Sequence, residues 1–244
     1  MKPKPQIIEV WGDYACFSRP ELKVERFSYP IITPSAARGI FDAIYCKPNK
    51  DKTQAQFRWQ ITRIELLAPI SYIALRRNEV GSVASVVNLM RWMKEASKAK
   101  PILIEEAQQR QTMALKNVRY RLTAEIRPFP GHEIKLQSLE SQFIRRAMHG
   151  KCFHQPCFGC REFPAYFRYL SSMEREAPPI NYTQDLGLML YDVFDLRIPN
   201  DSSAPPFISV FRAVVRNGVL NIPNYESNDI LKPGVSERGR PDAS

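Results

Sequence analysis

Residues 114–129, ALKNVRYRLTAEIRPF, constrain the fold more than any other stretch of the chain. Val118, Tyr120, Leu122, Ala124 and Ile126 alternate with Arg119, Arg121, Thr123, Glu125 and Arg127. A period of two sends the first set to one side of an extended chain and the second set to the other. Such a strand demands a sheet with one apolar face for helices to cover and a second face that bears arginines.

Two segments have the pattern needed to cover it. In ITPSAARGIFDAIYCKP, Thr33 or Ser35 can cap a helix, Pro34 suits its first turn and Pro48 stops it. Ala36, Ile40 and Ile44 share one face of this helix, with Ala37 and Phe41 beside them. In SLESQFIRRAMHGK, Leu139, Phe143 and Ala147 fall at i, i+4 and i+8, and Gly150 closes the helix.

Other strands are expected at residues 7–11, ending at Gly12, at 57–70 with a break near Pro69, and at 73–80, which carries Arg76 and Arg77. Before the arginine-bearing strand, Val83, Val86, Val87, Met90 and Met93 sit at helical spacing and lead into Lys94, Lys98 and Lys100. The apolar face of this insert, around residues 82–100, is expected to pack on the body; the other reading is a mobile basic lid. Beyond Ala177-Pro178-Pro179 the pattern turns to β, and Asn217-Gly218 between apolar runs signals a hairpin. Residues 227–244 are polar, rich in Gly and Pro, and read as a loose tail. The order strand, helix, strand, strand, helix, strand predicts an α+β fold. A ferredoxin-like, RNA-recognition-type domain would span residues 1–177, and a small antiparallel β-sheet domain would span 178–226.

Charge points to the kind of partner. The chain has 35 Lys and Arg against 25 Asp and Glu, a net +10, which favours a polyanion: nucleic acid or an anionic membrane surface. No stretch approaches the roughly 18 apolar residues of a membrane span, and the first residues are too charged for a signal peptide. Five cysteines fit a reducing cytoplasm better than a disulfide framework.

Residues 150–167, GKCFHQPCFGCREFPAYF, place Cys152, His154, Cys157 and Cys160 close together. A structural zinc site usually draws its four ligands from two separated pairs, and no second pair exists here. A thioredoxin-type centre needs its CxxC at a strand-to-helix junction, whereas CFGC runs into an extended stretch. The cysteines therefore read as small buried hydrophobes, and no metal or cofactor is expected. The basic and aromatic residues say more. Arg145, Arg146, His149 and Lys151 crowd a helix end, and Arg161, Phe163, Tyr166, Phe167, Arg168 and Tyr169 interleave charge with rings. Guanidinium groups hold phosphates and rings stack on bases, so the mixture suits unpaired RNA.

Several long blocks resemble the CRISPR-associated Cas5 family in its subtype I-C form. They are GDYACFSRPELKVERFSYPIITPSAARGIFDAIYCKP, RQTMALKNVRYRL, RRAMHGKCFHQPCFGCREFPAYF and TQDLGLMLYD, which occur in this order from Gly12 to Asp192. The resemblance implies a subunit of the Cascade complex that holds the 5′ handle of guide RNA, touches the backbone and large subunits, and meets target DNA only through the complex. It also implies metal-independent cutting of precursor guide RNA by attack of a ribose 2′-hydroxyl on the adjacent phosphate. The alternative is a non-catalytic subunit that binds the handle while another nuclease cuts.

The family's catalytic tyrosine, in a motif like IYxKP, matches Tyr45. Its lysine-histidine pair ahead of the arginine-rich helix is replaced here by Ser138 and Leu139. His132 and Lys135, a few residues upstream, are the nearest substitutes; Lys116, His149 and His154 are further donors of charge. For RNA binding, Arg145, Arg146, Lys151 and Arg161 come first, followed by Arg76, Arg77, Arg119 and Arg121 on strand faces, with Phe153 or Tyr166 stacking on a base.

Overall fold

A computed structural model describes residues 2–22, 25–49, 54–80, 85–95, 97, 107–171, 177–199 and 205–233. The strands are β1 (Gln6–Ala15), β2 (Arg26–Phe27), β3 (Phe57–Leu66), β4 (Tyr72–Val80), β5 (Ala107–Pro128), β6 (Tyr166–Leu170), β7 (Gln184–Asp192), β8 (Ser209–Val215), β9 (Val219–Asn221) and β10 (Ile230–Leu231). The helices are α1 (Pro34–Ile44), α2 (Val86–Lys94) and α3 (Leu136–Met148). The molecule is an α+β protein. Its larger sheet runs β6-β1-β5-β3-β9, with β2 and β4 also paired to β5, and a second sheet runs β10-β8-β7. Every pairing except the parallel β2–β5 contact is antiparallel.

The expected two-faced strand is the middle of this design. β5 is 22 residues long; its first half pairs with β4, from Val80↔Ala107 to Tyr72↔Leu115, and its second half lies between β1 and β3. Ile8, Val10, Leu122, Tyr120, Ala124 and Ile126 are all buried on the side that α1 and α3 cover. Strand β3 keeps pace through a bulge between Ile61 and Arg63. Phe57, Trp59 and Ile61 face the helices before it, Ile64 and Leu66 after it, because one extra residue resets the alternation. Phe41 of α1, Trp59 of β3 and Phe143 of α3 then meet, with ring centroids 4.7–5.6 Å apart.

Helix α1 starts as its sequence dictates: Thr33 accepts a hydrogen bond from the Ala36 amide at 3.2 Å, with Pro34 in the first turn. It ends at Ile44, before Pro48, because Tyr45 turns extended, with φ −152°. Arg38, buried on this helix, donates to Asp192 of β7 at 2.7 and 3.1 Å and to Asp42 at 2.6 Å, so it ties the second sheet to the first layer. Burial pushes the Asp42 carboxyl up, against the pull of Arg38.

Two expectations need correction, and the hairpin needs refinement. The apolar side of α2 packs on none of the described residues: Val86, Val87, Met90 and Met93 are exposed, Met93 at 87%. Its nine residues follow a two-stranded arm, and among the described residues no apolar surface lies beneath them. Residues 81–84, 96 and 98–106 of that insert lie outside the described residues. The Asn217-Gly218 hairpin is present, with φ of 49° and 74° and both backbone hydrogen bonds between Arg216 and Val219 at 2.9 Å, but beyond that pair its arms part company. β8 joins the second sheet, whereas β9 pairs with β3. A Cβ at position 218 would sit 2.2 Å from the Ile180 carbonyl oxygen, so only glycine fits that close crossing. Within the expected tail, Ile230 is buried and pairs with Phe211; residues 234–244 lie outside the described residues.

Candidate nucleic-acid interface

The carboxyl end of α1 abuts that of α3, and the contact is made through the helix's own spare carbonyls. The last turn of a helix leaves carbonyl groups without intrahelical partners. Here the Ala43 carbonyl accepts from the amides of Phe153 and His154 at 2.7 and 3.3 Å, and the Ile44 carbonyl accepts from Arg146 Nε at 2.9 Å. The Tyr45 carbonyl accepts from Trp59 Nε1 at 3.0 Å. Arg146 is thereby fixed, and its guanidinium lies 4.0 Å above the Phe153 ring.

Tyr45 points from this corner towards α3. Its hydroxyl donates to Gln142 Oε1 at 2.9 Å, and the residue is 1% exposed. Burial pushes the phenol up to about 12, and the nearby Arg146 and Arg145 charges recover only part of that shift. The phenol thus keeps its proton throughout the neutral range and is not a base there. A different side chain has the geometry of one. His149, just beyond α3, holds Nδ1 2.7 Å from the Arg145 carbonyl oxygen. A carbonyl only accepts, so Nδ1 carries the proton in the neutral ring and Nε2 presents its lone pair.

A groove of about 620 Å3 runs along α1 to this corner. Ala36, Gly39 and Ala43 form one wall; His154, Gln155, Pro156, Cys157, Gly159 and Arg161 form the other. The small side chains keep it wide. Its lining offers the Arg161 guanidinium and the His154 imidazole with no carboxylate, which favours an anion. Gly159 is required to hold the second wall in place: its φ is +83°, and a Cβ there would lie 2.0 Å from the Cys16 carbonyl oxygen.

The structure therefore brings Tyr45, Arg145, Arg146 and Phe153 together, with exposed Lys151 following and Arg161 in the groove wall. It does not bring His132 and Lys135 to them. Those residues precede α3, and Lys135 is seven positions before Gln142, about 10 Å along a helix axis. His149 and His154 occupy the corner instead. Arg77 pairs with Glu162 and lies 4.7 Å over Phe163, which ties the loop to β4, while Arg76 is exposed on the same strand.

Arg119, Arg121 and Tyr166 lie on the opposite face of the sheet, and Arg121 is a correction. It is 2% exposed, donates to Glu65 at 2.5 Å and to the Ala177 carbonyl at 2.8 Å, and cannot reach RNA. The cross-strand carboxylate that claims it is invisible to a pattern read along one strand. Phe153 is half taken as well, since Arg146 covers one of its faces.

The cysteines do not gather. Among the described residues no three His, Cys, Asp or Glu side chains form a set able to hold a metal ion. Cys16 and Cys160 instead touch each other: the hydrogen bond from Cys160 holds the Cys16 thiol at about 6 and raises Cys160 in turn. Among the described residues no helix is long and apolar enough to cross a membrane.

Comparison with known proteins follows the same lines. A family model described as CRISPR-associated protein (Cas_Cas5) matches residues 7–223. A relative in Mannheimia succiniciproducens named CRISPR pre-crRNA endoribonuclease Cas5d is 38% identical over 233 residues, 92% of this chain and 97% of its own. A relative of the same name in Thermus thermophilus is 39% identical over 241 residues, covering 92% and 94%. A crystal structure of a CRISPR-associated protein superposes with a TM-score of 0.62 at 19% identity, over 95% of this chain and 98% of that one, a likeness of fold.

Proposed function

Since the chain belongs to the CRISPR-associated Cas5 family, we propose that it is a pre-crRNA endoribonuclease that cuts repeat RNA and keeps the 5′ handle it has made. The observation that carries this reading is a groove with no carboxylate in its lining that runs past Ala43 and His154 towards the junction of α1 and α3, where the ends of the two helices carry Tyr45, Arg145, Arg146 and His149. The strand order β6-β1-β5-β3, with α1 and α3 on one face, supports a ferredoxin-like reading of this domain, the frame on which RNA-recognition sheets are built. In the cell the protein sits in the cytoplasm within Cascade, against the backbone and large subunits, and meets target DNA through that complex.

The reaction needs a base for the 2′ proton, positive charge on the phosphorane and a proton for the leaving 5′ oxygen. His149 Nε2 takes the proton from the 2′-hydroxyl. The freed oxygen attacks phosphorus, the bond to the 5′ oxygen breaks, and a 2′,3′-cyclic phosphate and a 5′-hydroxyl result. In this reading Arg145, Arg146 and Lys151 carry the phosphorane's charge, and His154 protonates the leaving oxygen. Tyr45 positions rather than ionises: its buried hydroxyl donates to Gln142 and so fixes the end of α1 against α3, beside Arg146. Metal plays no part in this scheme.

One observation favours a second reading. Tyr45 is closed off from solvent, which suits a chain that holds the handle without cutting it. Purified protein incubated with its cognate repeat RNA in EDTA separates the two. Cleavage to a cyclic-phosphate product is expected. His149→Gln should slow it by about 10²- to 10⁴-fold, and Tyr45→Phe should also lower it. Tight binding of RNA that stays intact leaves the handle-holding reading alone.

A further inference from the structure

The sheet face turned away from α1 and α3 carries a recess of its own, which the scheme above leaves unused. A cleft of about 660 Å3 lies between Trp11 and Asp13 of β1, Leu67 to Pro69 beyond β3, Asn117 and Arg119 of β5, and Arg168 of β6. Cross-strand register sets this company: Trp11 is opposite Arg119 on one side and Tyr166 on the other. The Trp11 and Tyr166 rings lie side by side, with centroids 6.3 Å apart and planes inclined by 29°. Both stay in water, at 37% and 52% exposure.

Beneath them Glu9 is buried and accepts from Arg119 Nε at 2.7 Å and from Arg168 Nη2 at 3.2 Å. The two guanidinium groups are held in place by one buried carboxylate, yet each side chain keeps more than a third of its surface open, 43% and 41%. Groups fixed before a ligand arrives lose little freedom on binding. Among the described residues no hydrogen bond or ion pair engages the side chains of Asp13 and Asn117 at the rim, which leaves a carboxylate and an amide to meet a polar edge.

Two open rings, two fixed guanidinium groups and an unengaged polar rim suit a ligand that is flat at one end and anionic at the other. We infer that this cleft is a second RNA contact that takes one unpaired nucleotide, its base stacked on Trp11 and its phosphate against Arg119 or Arg168. The inference rests on the reading that the chain holds guide RNA, and extends it to the far side of the sheet. β6 is the edge strand, so RNA held in both places passes around that edge.

The test uses the full chain and repeat RNA in which 2-aminopurine replaces each unpaired base in turn. One position should be quenched on binding to the unaltered protein. Trp11→Ala should abolish that quenching and weaken affinity by about 5- to 100-fold, the worth of one base–ring stack. Trp11→Phe, which keeps a ring, should restore both. Tyr166→Ala should weaken the same signal, and serves if Trp11→Ala fails to melt like the unaltered protein. Equal affinity and equal quenching in the alanine variants overturn the inference while the functional reading stands. Loss of complex assembly with RNA binding unchanged also overturns it, since the rings would then serve a protein partner. Failure of the unaltered protein to bind the RNA at all sinks the functional reading instead.

Discussion

Arg121 is held between Glu65 and the Ala177 carbonyl, and Glu65 also takes Arg63 at 2.8 Å. Arg121→Ala would leave Glu65 buried with only the half-exposed Arg63 to balance it. Breaking a buried pair from one side typically costs about 3–5 kcal/mol, and the remaining partner puts this case near 3; urea unfolding of the variant measures it. The alternation along residues 114–129 reveals which side Arg121 faces but not what stands across from it, because that partner is 56 positions away in sequence. Tyr45 shows the same limit. A motif singled it out, yet only packing closes it in and lifts its phenol to about 12. Burial disfavours the phenolate, so the proton stays on well past neutrality. The pH profile of cleavage should therefore carry no tyrosinate limb below about pH 11, and Tyr45→Phe should lower the profile without changing its shape.

Elements that pack on a neighbour were legible, and those that extend from the body were not. α1 and α3 announce their buried faces by period, and both dock where expected. In β3, the pattern Phe57, Trp59, Ile61 followed by Ile64 and Leu66 already contains the slip that the bulge accommodates. α2 has an equally clear apolar stripe and, among the described residues, nothing beneath it, because a stripe states what must be covered and not what covers it. Exposed substitutions away from caps and cores usually change stability by no more than about 0.5 kcal/mol. Val87→Lys with Met93→Lys should therefore leave the melting temperature of the isolated protein nearly unchanged, as calorimetry would show. A clear drop would mean that the helix is covered after all.

Over the whole molecule the surplus of +10 is unevenly spent. On the far face Glu9 and Glu65 answer Arg119, Arg168, Arg121 and Arg63, whereas the groove beside α1 contains Arg161 and His154 with no acid. Composition gave the sign of the partner; only the fold shows where the charge is left unanswered. Affinity for RNA should fall steeply with salt, and Arg145→Ala or Arg161→Ala should each reduce the log–log slope by about 0.7 for a single strand, read from titrations at several ionic strengths. Arg119→Ala should change it less, since Glu9 already offsets that charge.

The split turn at Asn217-Gly218 has a consequence for how the chain is made. A ribosome delivers β3 long before β9, the short strand that shields its outer edge at Arg63 to Glu65. Until those last residues emerge, a row of backbone donors and acceptors stands bare, a template for pairing between nascent copies. A stop codon shortly before residue 219 should then yield aggregates, even though every residue that lines the groove, and both α1 and α3, would already have been synthesised.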